Sequence, residues 1–228
     1  MCQLQFCFIY LLIKQCYNNE NKKGENALID PIVIIIITNQ TYKKIKEISN
    51  YYNSLPKMGK YKVSFCYRLG KMHEMAASAG FGFSKNIWVN NEWARLLIQN
   101  KEESNNAFEI TLGHELAHKD GDFAILFWER KSKRYIHKED RKFVNWVTEV
   151  HHDYAAAEKM VESSKEKLIE SIEYKIAMKP NNTDSTSHPS WKQRKSYAEI
   201  GAFNRQLIDT IAFNTDCTNI TLIEEVSC

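Results

Sequence analysis

The chain has 228 residues, a formal net charge of +3 and six cysteines. That length suits one domain with a full core, and the charges are mixed along the chain rather than gathered in a basic block, which argues against nucleic acid as a partner. The cysteines form no Cys-x-x-Cys pair, so free thiols and a reducing, cytoplasmic location are expected; a Cys217–Cys228 loop closed after export is the alternative.

Residues 1–30 read as an N-terminal extension. Its apolar run "FCFIYLLI" (Phe6 to Ile13) lacks a positive n-region and a small-residue cleavage site, so a buried strand or short helix is expected, with a cryptic secretion signal as the alternative. Neither this run nor "PIVIIIIT" approaches the ~20 apolar residues a membrane span needs, so no transmembrane segment is expected. "NNENKKGENALIDP" reads as a linker. The β-branched run Ile32 to Thr38 reads as a buried strand. "TYKKIKEISNYYNSL" has the period of an amphipathic helix and ends near Pro56. "KYKVSFCYR" alternates as a strand does, and "AGFGFSKNIWVNN" is a glycine-punctuated turn leading into another strand.

From Asn105 onward the pattern is helical. One helix is expected from Ala107 to Lys119, stopped by Gly121 as a C-terminal cap. A second runs from Glu139 to at least Met160, with a continuation to Ala177 open. "KPNNTDSTSHPS" is a loop, and a third helix is expected from Pro189, in the first turn, to about Phe213. Residues 31–213 thus form the main domain, and residues 214–228 a tail or final strand.

"TLGHELAHKDGD" carries His114-Glu115-x-x-His118. On a helix, positions four apart share a face, so the two imidazoles stand one turn apart as zinc ligands require. Glu115 is rotated by about 100° and is placed to act as a general base on a metal-activated water. Ala107, Ile110, Thr111, Ala117 and Gly121 share the histidine-bearing side, so that face should be buried, and buried histidines need partners. A catalytic zinc normally takes three protein ligands. A local third ligand fails: position 124 is alanine, and Asp120 and Asp122 stand at the wrong offsets. Downstream, "TEVHHDYAAAEKM" stacks Glu149 and Asp153 one turn apart beside residues that expect burial. One of these carboxylates would close the coordination sphere, and the other would accept the second ring N–H of a ligand histidine. Glu149 ranks first as the ligand; His151 and His152 compete but are expected to point away from that stripe.

Over residues 75 to 212 the chain resembles the HtpX-like gluzincins, which include the CAAX-prenyl endopeptidases and the soluble minigluzincins. The resemblance rests on "AGFGFSKNIWVNNEWARLL", the His-Glu-x-x-His helix, the Glu149-x-x-x-Asp153 helix, and His188-Pro189 with Arg194 six residues beyond the histidine. It implies one zinc ion per chain held by His114, His118 and Glu149, with Asp153 in support. It implies His188 as an oxyanion stabiliser, Arg194 as organiser of the site, and an edge strand, Ile87, Trp88, Val89 and Asn90, pairing with an extended peptide or protein substrate. The expected fold is α+β and zincin-like, a helical core beside a small, mostly antiparallel sheet. The expected function is zinc-dependent hydrolysis of peptide bonds. The alternatives are a latent, zinc-stabilised binding protein and a regulatory protease dedicated to one partner.

Overall fold

Two prolines bracket the first described helix. The computed structural model describes residues 31–66, 77–78, 85–120, 136–160 and 165–227, and within them α1 runs Pro31–Ser54. Proline suits a first helical turn, where its missing N–H has no intrahelical partner. Leu55 is extended, as the residue before a proline prefers, and Pro56–Met58 makes a short 3₁₀ turn. The expected strand at Ile32 to Thr38 is therefore corrected: those residues are the opening turns of α1. β-branched residues disfavour helix by only tenths of a kcal/mol each, and no breaker separates the run from the amphipathic segment that follows.

The sheet has three strands, β1 (Lys62–Cys66), β2 (Ala77–Ser78) and β3 (Asn86–Asn90), in the order β1-β3-β2. β1 and β3 are parallel along all five residues, whereas β2 meets β3 antiparallel only at Val89 and Trp88. This corrects the expected antiparallel sheet. Two neighbouring strands can run parallel only when a crossover of a dozen or more residues joins them, and residues 67–85 supply that length. The outer side of β1 is held by α1, where Asn53 Oδ1 accepts the Val63 N–H at 2.7 Å and the Asn53 and Ser49 side chains donate to the Val63 carbonyl. Asn90 ends β3 and caps α2 (Asn91–Ile98) by accepting the Glu92 N–H.

The helices that follow are α3 (Glu102–Asp120), α4 (Arg141–Met160), α5 (Lys165–Met178), α6 (Trp191–Ile200), α7 (Arg205–Asn214) and α8 (Ile220–Ser227). Helix α3 begins five residues before its expected start; its expected cap, Gly121, lies outside the described residues, as do residues 1–30 and the turn at 79–84. Pro189 precedes the Ser190 N-cap of α6 rather than entering the helix, and the expected single helix to Phe213 is two. Gly201 breaks it with φ +88°, a left-handed cap that glycine reaches without a Cβ penalty, and Asn204 caps the restart. The expected terminal strand or tail contains α8, whose Leu222 and Ile223 join the core around Phe143, Trp146 and Tyr197.

Helix α3 is the centre of this arrangement. One side carries Ala107, Phe108, Leu112 and Leu116 against β1, β3 and α2, while Ile110 packs with Ala156, Leu168 and Ile172 of α4 and α5. A helix buried on both sides loses the polar stripe of a surface helix. Among the described residues no helix is long and apolar enough to cross a membrane.

Phe108 is fully buried and its ring meets those of Tyr52, Phe65 and Trp93 at 4.8, 5.9 and 5.3 Å. Phe108→Ala is expected to cost about 3–5 kcal/mol. The urea midpoint of unfolding measures it, and a loss below about 1 kcal/mol would show that this core collapses around the missing ring.

Candidate metal centre

The last turns of α3 present His114, Glu115 and His118, the first two buried and His118 partly so. Helix α4 packs alongside and presents Glu149, His152 and Asp153, all buried. Small residues are buried on both helices: Ala117 on α3, and Ala156 and Ala157 one turn beyond the polar group on α4.

The donor atoms converge. His114 Nε2 and His118 Nε2 are 3.1 Å apart. Glu149 spans the pair, with Oε2 at 3.3 Å from His114 Nε2 and Oε1 at 3.5 Å from His118 Nε2. Zinc–nitrogen bonds of 2.0–2.1 Å set tetrahedral donors about 3.3–3.4 Å apart, so each of these contacts is near the spacing of two donors on one ion, with Glu149 turning a different oxygen to each histidine. The residues present fit the metal that the motif implies.

Behind this cluster, His114 Nδ1 donates to Asp153 Oδ1 at 3.0 Å. An ionised carboxylate only accepts, so this contact puts a proton on Nδ1, a nitrogen that Arg194 Nη2 also approaches to 3.3 Å. Asp153 is in turn gripped by both arms of the Arg194 guanidinium, with Nε donating to Oδ2 at 2.6 Å and Nη2 to Oδ1. Arg194 Nη1 also lies 3.6 Å from Glu149 Oε2, and its plane covers the Trp191 ring at 4.4 Å. At 5 % exposure Arg194 is closed off from solvent and meets the cluster through Asp153 and Glu149. His188 stands at the rim, its side chain 58 % exposed, with Nε2 3.5 Å from Glu149 Oε1 and Nδ1 bonded to Ser187 Oγ.

The electrostatics follow from burial against pairing. Burial alone pushes both carboxyls up. For Asp153 the Arg194 charge and the His114 contact override it, and for Glu149 the His114 and His118 contacts do so with help from Arg194. Both remain ionised, well below the usual carboxylate range. Of the residues the sequence singles out, the structure gathers His114, His118, Glu149, Asp153, His188 and Arg194 in one place. Glu115 is buried on the same turn of α3, close enough for its charge to be felt by Arg194 and by Lys175. Lys175, behind them, is pushed down to about 7, by burial first and then by Arg194.

Two expectations are corrected. Ile87 to Asn90 is the central strand of the sheet, with Ile87 and Val89 pointing into the core, rather than an edge. His152 does not point away: its Nδ1 lies 3.3 Å from His118 Nε2, and the rings are 3.9 Å apart. The signal was in the spacing. Residue 152 is three after Glu149, and residues three apart on a helix are neighbours. Only His151 turns aside, its ring packing edge-on against Phe203. His114, His118 and His152 each bring a ring nitrogen within 4.8 Å of the others. Burial and the two neighbouring imidazoles push the His152 pKa down to about 2, keeping it neutral.

No protein-family model matches the chain, and neither a curated protein nor a solved structure matches it.

Arg194→Leu leaves a buried carboxylate unpaired and is expected to destabilise by about 3–5 kcal/mol. The double variant with Asp153→Asn should recover part of that loss, and simple additivity in chemical denaturation would show the pair is not coupled. A pH dependence follows from His152. Its folded pKa lies below the ordinary 6.5, so the unfolded chain binds the proton first; the stability it contributes is complete above about pH 6.5 and is lost as pH falls below it. In chelator-stripped protein, His152→Leu should remove about 1.4 kcal/mol per pH unit of slope between about pH 6 and 5, above the window where Asp153 and Glu149 begin to protonate. Superimposable profiles for the two proteins would refute it.

Proposed function

We propose that this protein is a zinc-dependent metalloendopeptidase of zincin-like fold, cleaving peptide bonds in a peptide or protein substrate. The observation that carries the reading is the convergence of His114 Nε2, His118 Nε2 and the Glu149 carboxylate at distances near those of donors sharing one ion, with Glu115 on the same helix turn. One zinc ion per chain would be held by those three residues. When bound, it supplies an acidified water and a Lewis acid for the scissile carbonyl. Glu115 takes the proton of the attacking water and returns it to the leaving amine. Asp153 keeps His114 in the tautomer that ligates, and Arg194 keeps Asp153 ionised and in place. His188, exposed at the rim beside Glu149, is the group that meets the developing oxyanion.

A second reading, a zinc-stabilised binding protein without activity, is favoured by one observation: His152 crowds the same cluster. The two differ in what Glu115 does. The test is elemental analysis and casein cleavage on wild type, Glu115→Gln and Glu149→Gln purified without added metal. Wild type and Glu115→Gln should carry about one zinc per chain, and Glu149→Gln far less. Cleavage should fall by at least about 10²-fold in Glu115→Gln. Zinc in wild type and Glu115→Gln with no cleavage by any of the three supports the binding protein; no zinc in wild type after reconstitution removes both readings.

A further inference from the structure

His152 is the polar residue in the cluster that the three-ligand centre does not use. It is fully buried, and its Nδ1 lies 3.3 Å from His118 Nε2, again near the spacing of two donors on one ion. An imidazole nitrogen has one lone pair. His118 Nε2 can accept a hydrogen bond from His152 or ligate a metal, but it cannot do both. Once His118 ligates, His152 Nδ1 has lost its hydrogen-bond acceptor, and a buried neutral imidazole at this spacing has the metal as its nearest replacement.

We propose that His152 Nδ1 is a fourth protein ligand, which together with His114, His118 and Glu149 seals the resting zinc centre against water and substrate. This rests on the zinc reading above and adds its regulation. A closed set of four protein ligands is the arrangement of a structural zinc site; a catalytic site keeps one position open. Activity then requires His152 to swing off the metal. The anchoring of the imidazoles supports this division. His114 is clamped from behind by Asp153, itself held by Arg194, whereas His152 Nε2 is buried with no hydrogen-bond partner among the described residues. The ligand without a supporting bond is the one that leaves.

Cobalt(II), exchanged into the full chain, reads the coordination directly. In wild type the visible bands should not respond to added azide, because four protein ligands leave no water to displace. In His152→Ala and His152→Leu, with cobalt still at about one per chain, water takes the fourth position and azide should shift the bands. Fluorescent-casein cleavage by the zinc forms of these variants should rise above wild type. Full cobalt loading with azide-sensitive bands in wild type, or with azide-insensitive bands in both variants, would overturn the proposal and leave the zinc reading standing; no cobalt or zinc uptake by wild type would take down both. Should circular dichroism show either variant unfolded, X-ray absorption at the zinc edge of the wild-type protein decides alone. Three imidazoles and a carboxylate are expected, and two imidazoles would overturn the proposal.

Discussion

The Asp153–Arg194 ion pair is the constraint on which the rest of the polar centre depends. Both partners are buried, and removing two charges from water costs several kcal/mol each unless the geometry is close and the remaining donors are used. Here they are used: Arg194 places two donors on Asp153, turns a third nitrogen toward Glu149, and lies on the Trp191 ring. Asp153 spends its remaining capacity on His114. One interaction therefore locks α6 to α4 and, through the histidine, α4 to α3.

The apolar cores are arranged around that lock. One cluster joins α1, the sheet and α2 to the side of α3 that bears Phe108; a second gathers α7 and α8 onto α4; a third fills the space between α3, α4, α5 and α6. The histidines sit where α3 and α4 face each other. A site framed by packed helices holds its donor atoms to within the few tenths of an ångström that metal coordination demands, which a site made of loops alone does not. The buried titratable groups are concentrated in this one place, where each costs stability without adding apolar packing and needs the partners described above.

What was legible in the sequence followed from local geometry. The i, i+4 rule placed His114 beside His118 and Glu149 beside Asp153, and breakers marked the ends of α1 and the loop before α6. The misreadings have equally local causes. Ile32 to Thr38 looks like a strand because β-branched residues favour one, but that preference is weak beside helix propagation from an adjacent amphipathic segment. Gly201 split one expected helix into two because its left-handed cap matched the following Asn204 N-cap. His152 was set aside by treating the i, i+4 stripe as the whole face, when i+3 borders it.

By itself the sequence determined the chemistry available: two imidazoles and a carboxylate on one helix, two carboxylates on another, and an arginine beyond a His-Pro turn. Those follow from residue identity and a helical period, which act over a few residues. Only the tertiary structure decided which groups meet. The parallel pairing of β1 with β3, the central place of Ile87 to Asn90 and the approach of His152 to His118 each depend on how distant segments pack, and side-chain patterning along the chain carries no direct record of that.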